Sequence, residues 1–165
     1  MKHLLSIEDV SREDVERICA RAAAFSENQQ REIKKVPALR GRTVLNLFYE
    51  ASTRTRSSFE LAAKRLSADV VNFSASGSST EKGESLKDTV QTLSAHRPDA
   101  IVVRCPWAGA PALVAEWTDA EIINAGDGKH EHPTQALLDI YTLTRRLGSL
   151  DGVKIWVVGD VLHSR

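Results

Sequence analysis

The feature that most constrains this chain is the alternation of short apolar runs with helical stripes. Residues 43–49, 69–73, 100–104 and 121–124 each read as a short buried strand. After the first run, Phe59, Ala62, Ala63 and Leu66 mark one face of a helix; after the second, Leu86, Val90 and Leu93 mark another. Pro111 opens a short helix with Leu113 and Trp117 one turn apart, and residues 133–147 read as a single helix with Pro133 at its first position and Gly148 beyond its end. Strand–helix alternation implies right-handed crossovers and a parallel sheet, so the expected class is α/β. Ahead of this pattern, Ser11 with Asp14 three residues on marks a capped helix start. Val15, Ile18, Cys19 and Ala22 follow as its expected buried stripe.

Two stretches break the rhythm. Residues 74–83 (Ser-Ala-Ser-Gly-Ser-Ser-Thr-Glu-Lys-Gly) are small and polar, which fits a solvated connector or a loop that carries function. Residues 153–159 read as a fresh buried strand with no helix after it, an unfinished βα unit. The chain is therefore expected to be the first part of a longer protein.

Composition narrows the function classes. The 165 residues suffice for one domain with a real core. Lys and Arg number 22 against 22 Asp and Glu, and a net charge of zero argues against a general nucleic-acid binder, whose affinity comes mainly from neutralising phosphates. No apolar run reaches membrane-spanning length, and the N-terminal apolar stretch turns acidic at Glu8 and Asp9, too soon for a signal peptide. Cys19 and Cys105 form neither a disulfide framework nor a metal-ligand spacing, so a cytoplasmic location is expected.

Chemistry concentrates where strands end. Phe48-Tyr49-Glu50-Ala51-Ser52-Thr53-Arg54-Thr55-Arg56 lies at a strand-to-helix junction, where free N–H groups and the helix dipole favour an anion. Three hydroxyls and two guanidinium groups in five residues exceed what capping needs, and Arg suits phosphate. Arg54 and Arg56 are two residues apart and point to different sides of a helix, so one is expected to face the ligand and the other to form structural ion pairs. Arg104 ends an apolar strand, at an edge where open parallel sheets bind ligands, although an edge-exposed arginine would look the same. His132 heads the last helix, either as a cap or as a neutral hydrogen-bond donor to an oxygen. His130 with His132 lacks a third metal ligand, which leaves a solvated loop as the better reading and no metal site.

These residues resemble the transcarbamoylase family. The motif from Phe48 to Arg56, with Ser58-Phe59-Glu60, is similar to the family's carbamoyl phosphate signature, and His132-Pro133-Thr134-Gln135 to its second signature. Lys82-Gly83-Glu84-Ser85 and Asn124-Ala125-Gly126-Asp127-Gly128 are similar to the aspartate-using branch of the family. The resemblance implies a doubly wound carbamoyl phosphate domain over residues 1–132, an interdomain helix at 133–148, and at 149–165 the first strand of a second α/β domain that binds aspartate. It implies carbamoyl transfer from carbamoyl phosphate to the amino group of L-aspartate, without cofactor or metal. It also implies a homotrimer with shared active sites, which regulatory or pathway-enzyme subunits could join.

Position by position, the resemblance has Ser52, Thr53, Arg54 and Thr55 holding phosphate, with Arg104 assisting. Thr55, Arg104 and His132 polarise the carbonyl oxygen and Gln135 receives the carbamoyl amino group. Ser78 (or Ser79 beside it) and Lys82 reach a neighbouring subunit's site, Arg165 meets the aspartate carboxylate, Glu50 joins interdomain ion pairs, and Arg56 is structural. A carbamoyltransferase for another amine such as ornithine, or a non-catalytic phosphate-binding or assembly domain, are the alternatives. The separate 165-residue chain is expected to be inactive.

Overall fold

In a computed structural model of the chain, residues 1–74 and 83–160 are described. Every expected strand of the alternating region forms. The elements run α1 (Arg12–Asn28), β1 (Thr43–Phe48), α2 (Thr53–Arg65), β2 (Asp69–Ser74), α3 (Leu86–Ser94), β3 (Ala100–Cys105), α4 (Ala110–Glu116), β4 (Glu121–Asp127) and α5 (Pro133–Leu147). Helix starts follow their capping chemistry. Ser11 and Ser85 accept from the N–H of Asp14 and Asp88, Pro stands in the first turn of α4 and α5, and Gly148 takes a positive φ just past α5.

The four strands are all parallel, in the order β2-β1-β3-β4. Alternate residues of the central strands point to opposite faces, and each face has its own core. Leu45, Leu47, Ile101, Val103 and Cys105 pack with Val90 of α3 and Val114 of α4 on one side. Val44, Phe48, Val102 and Ala125 pack with Ala63 of α2 on the other. Helices thus cover both faces, the doubly wound arrangement. Burial on both faces is why these strands are continuous apolar runs rather than alternating ones.

Three expectations need correction. First, the apolar segment at 153–159 forms no strand: Ile155, Trp156, Val157 and Val158 are 60%, 86%, 79% and 93% exposed. A strand needs a neighbour to satisfy its backbone groups, and among the described residues none lies beside this segment. The β4 edge is already engaged, since Leu4 N–H donates to the Ile122 carbonyl at 2.8 Å and Asn124 N–H to the Leu4 carbonyl at 2.9 Å. Second, no residue of α1 is buried; its stripe is half-covered and rests mainly on α5. Third, α4 buries Ala110, Pro111 and Val114 and leaves Leu113 outward, whereas Trp117, named with it, packs against the core.

Candidate active site

The chain reverses its direction across the sheet between β1 and β3: β1 leads outward to β2, and β3 leads the other way to β4. The carboxyl ends of β1 and β3 therefore border the crevice where open α/β sheets hold ligands. Both sequence motifs meet there. Tyr49 N–H donates to the Arg104 carbonyl at 2.8 Å, which ties the start of the first motif to the end of β3.

The junction that leads into α2 is open to an anion. Ser52 is extended (φ −149°, ψ 90°), and its side chain makes no capping hydrogen bond. The first-turn N–H groups are thus not satisfied by the residue that usually does so. Thr55 is half-buried there, and Thr53 and Arg54 are exposed. Arg56 is also exposed, and the structural ion pair expected of it is not formed among the described residues. Glu60, one turn on, pairs instead with Lys64 at 2.6 Å.

Arg104 is the buried cation of the site, 8% exposed. Its Nη1 donates to the Ala125 carbonyl at 2.7 Å, and its Nε stands 3.7 Å from Glu50 Oε2. Glu50, expected in interdomain ion pairs, here faces Arg104 of its own domain. Gly126 is what allows the arginine its place. At φ +114°, a Cβ on Gly126 would lie 2.8 Å from Arg104 Nη1 and 3.2 Å from His132 Cδ2.

His132 caps α5. Its Nδ1 accepts from the Gln135 N–H at 3.3 Å, with Thr134 Oγ1 also at 3.3 Å. A backbone N–H can only donate, so this cap favours the neutral ring with its proton on Nε2. That Nε2 is 3.3 Å from Arg104 Nη1, which only donates; the two nitrogens share a hydrogen bond when the ring proton is on Nδ1. With the proton on Nε2, both nitrogens can donate to one oxygen seated beside them. Gln135 is exposed, one turn into α5, and its amide Nε2 donates to Asp139 Oδ1 at 3.0 Å.

The loop that carries His132 is held by a buried acid. Asp127 is 1% exposed and accepts from the Gly109 N–H at 2.8 Å, the Glu131 N–H at 2.8 Å and His130 Nδ1 at 2.9 Å. Burial alone would raise this carboxyl's pKa; the His130 contact and the two backbone donors outweigh it and hold it below the usual carboxylate range. The same contact raises His130. His130 is thereby a partner of Asp127 rather than a ligand-bearing group. Among the described residues, no group of three or more His, Cys, Asp or Glu is placed to hold a metal, and no helix is long and apolar enough to cross a membrane. Burial pushes the Cys105 thiol up to about 11, which leaves it inert beside the site.

Sequence reasoning gave roles to Arg104, His132, Thr55 and Glu50, and quoted Gly126, Asp127 and Thr134 within family signatures without giving them any. The available signal was the pair of glycines flanking Asp127. Gly128, at φ +73°, packs against the Pro106 backbone, whereas Gly126 makes room for the Arg104 and His132 side chains. Ser78, Ser79, Lys82 and Arg165 lie outside the described residues.

The family model for the carbamoyl-P binding domain of aspartate/ornithine carbamoyltransferase matches residues 2–145. The aspartate carbamoyltransferase catalytic subunit of Salinispora arenicola is 64% identical over 165 residues, covering 100% of this chain and 54% of its own length. That of Acidothermus cellulolyticus is 61% identical, covering 100% and 51%. Among solved structures, aspartate transcarbamoylase of Trypanosoma cruzi in complex with carbamoyl phosphate and aspartate superposes with a TM-score of 0.86 at 41% identity, covering 92% of this chain and 47% of that one. The catalytic subunit from M. jannaschii gives 0.83 at 44%, covering 93% and 50%. The chain spans about half the length of the relatives it matches. An uncapped helix start at the switch point, Arg104 and His132 in contact beside it, and a family match over most of the residues converge, and the chain belongs to the aspartate/ornithine carbamoyltransferase family, with its carbamoyl-P binding domain at residues 2–145.

Proposed function

We propose that this domain binds carbamoyl phosphate and that its protein transfers the carbamoyl group to the amino group of L-aspartate, giving N-carbamoyl-L-aspartate and phosphate. The observation that carries the reading is the pair Arg104 Nη1 and His132 Nε2, 3.3 Å apart at the carboxyl edge of the sheet. A carbonyl oxygen seated beside the pair accepts from both when the His132 proton is on Nε2. Relatives that cover the whole chain at about 60% identity are aspartate carbamoyltransferase catalytic subunits, which supports aspartate as the acceptor.

The phosphate lies at the uncapped start of α2, held by Ser52, Thr53, Arg54 and Thr55, with Arg104 between phosphate and carbonyl. Gln135 accepts from the carbamoyl NH2. The aspartate nitrogen attacks the carbonyl carbon, a C–N bond forms, and the carbonyl π pair moves onto oxygen. When that oxyanion collapses, the C–O bond to phosphate breaks and phosphate leaves with the bonding pair, taking up the amine proton. Thr55, Arg104 and His132 donate to the developing oxyanion; in other enzymes one such donor is worth about 3–4 kcal/mol of barrier. Holding both substrates in place supplies much of the rest.

In the same proposal, Ser78 (or Ser79) and Lys82 complete a neighbouring subunit's site within a homotrimer, which regulatory or pathway-enzyme subunits could join. Arg165 meets the aspartate carboxylate, and Glu50 exchanges Arg104 for interdomain partners. Residues 1–132 form the carbamoyl phosphate domain, 133–148 the interdomain helix and 149–165 the start of the aspartate domain. The free thiols of Cys19 and Cys105 fit a cytoplasmic setting. The separate 165-residue chain is proposed to bind carbamoyl phosphate without turning it over.

The test is calorimetry of this chain with carbamoyl phosphate, with inorganic phosphate and ornithine as controls. Saturable binding that Arg54→Ala removes supports the reading; binding unaffected by Arg54→Ala refutes the placement of the phosphate.

A further inference from the structure

The first two turns of α5 (Pro133–Leu147) set the hydrogen-bond polarity of two side chains. The backbone N–H of Gln135 donates to His132 Nδ1 and so favours the ring with its proton on Nε2. The next turn acts in the same way on the Gln135 side chain, whose Nε2 donates to Asp139 Oδ1 at 3.0 Å across an i,i+4 spacing. A glutamine amide is two-faced: it can offer a ligand either its oxygen or its NH2. A carboxylate only accepts, so Asp139 takes the NH2 and rejects the flipped amide, which would set oxygen against oxygen. The amide oxygen is left as the group available to a ligand.

We propose that Asp139 is a positioning residue that makes the site select a carbamoyl group over an acetyl group. This rests on the reading that Gln135 meets the carbamoyl amino group. An NH2 and a CH3 on the same carbonyl have nearly the same size, so shape cannot separate carbamoyl phosphate from acetyl phosphate. An acceptor oxygen can, because it bonds the N–H of one and strands against the methyl of the other. With the amide free to flip, its NH2 would tolerate the methyl compound as readily, and the selection would relax. Asp139 is exposed, which makes its substitution safe for folding and keeps the expected effect moderate.

The experiment uses two stable phosphonates that differ only at that substituent, phosphonoacetamide (NH2) and 2-oxopropylphosphonate (CH3). Calorimetry gives their affinity ratio for the unaltered chain and for Asp139→Ala, Asp139→Asn, Gln135→Ala and the Gln135→Ala/Asp139→Ala double variant. The unaltered chain is expected to prefer the amide. Asp139→Ala should reduce that preference by about 3- to 10-fold, the scale of one hydrogen bond, and Asp139→Asn, whose oxygen still accepts, should retain most of it. The double variant should match Gln135→Ala alone. Removing a negative charge near the phosphate shifts both ligands together and cancels in the ratio, so a charge effect is separated from a positioning effect. An unchanged ratio in Asp139→Ala, or an equal fall for both ligands, overturns the role of Asp139. A chain that binds both ligands without preference overturns the placement of Gln135. Binding of neither overturns the proposed function, and this inference with it.

Discussion

Replacing Asp127 by asparagine tests whether a buried acid holds the His132 loop in place. The substitution keeps the shape and exchanges one acceptor oxygen for an NH2. Oδ2 receives the Gly109 N–H and His130, while Oδ1 receives the Glu131 N–H. In either amide orientation, one backbone N–H is therefore set against an NH2. A hydrogen bond to a charged group contributes about 1.5–3 kcal/mol, and a buried donor left without an acceptor costs about 1–3 kcal/mol. The two ranges overlap in what they count, so the expected loss is about 2–4 kcal/mol. Urea unfolding of both proteins across pH 3–8 measures it. Because the folded pKa of Asp127 is lowered, its stabilisation is present above the unfolded value of about 3.9 and is lost as pH falls through the folded value. His130 is raised, so its contribution is complete below about 6.5 and is lost as pH rises through its folded value. The stability gap between the two proteins should thus be widest between these limits and narrow on both sides. A gap that is the same at every pH, or below about 0.5 kcal/mol at pH 6, would show that the hydrogen bonds to Asp127 do not hold the loop.

Other predictions follow from the same geometry. Gly126→Ala places a Cβ 2.8 Å from Arg104 Nη1 at φ +114°; binding of phosphonoacetamide should fall at least 10-fold, and a chain that binds normally would show that Arg104 need not occupy this position. Arg56→Ala should leave ligand binding within about 2-fold of the unaltered chain, in contrast to Arg54→Ala, since two residues apart on α2 they point to different sides; equal losses in calorimetry refute that division. Trp156 and Val158, 86% and 93% exposed, lie in an unpaired segment of high β propensity. The chain should associate as its concentration rises, and Val158→Lys should shift sedimentation toward monomer; a monomer unchanged over a hundredfold dilution contradicts this.

The contrast between residues 43–48 and 153–158 shows what a sequence of this kind makes legible. Both are short apolar runs, and both read as buried strands. The first is β1, paired on both sides; the second has the same pattern and no partner among the described residues. Apolar periodicity reports what a segment gains by burial, whereas the neighbour that buries it comes from elsewhere in the fold. The helices were legible to the residue where capping is local, as at Pro133 and Gly148 of α5. Legibility fell where small residues made a strand look like a turn, and Ala125-Gly126-Asp127 extends β4 past Asn124 only because Cys105 pairs with Asp127 across a register shift.

The site divides along the same line. Hydroxyls and arginines at a strand-to-helix junction announce anion chemistry within nine residues, because the geometry of a helix start is itself local. Arg104 and His132 are separately ambiguous, one an edge arginine and the other a helix cap. Their meaning comes from a distance of 3.3 Å between residues 28 apart in the chain. That distance in turn depends on Gly126, which leaves room for the guanidinium, and on Asp127, which fastens the loop to the start of α4. Neither residue carries chemistry of its own toward a ligand, so no motif of reactive side chains would single them out. Reactive groups can be found by what they are, but the residues that aim them are found only by what they touch, so substitutions at Gly126, Asp127 and Asp139 should change binding, stability and ligand selection respectively while Arg104, His132 and the hydroxyls of the α2 start remain unaltered.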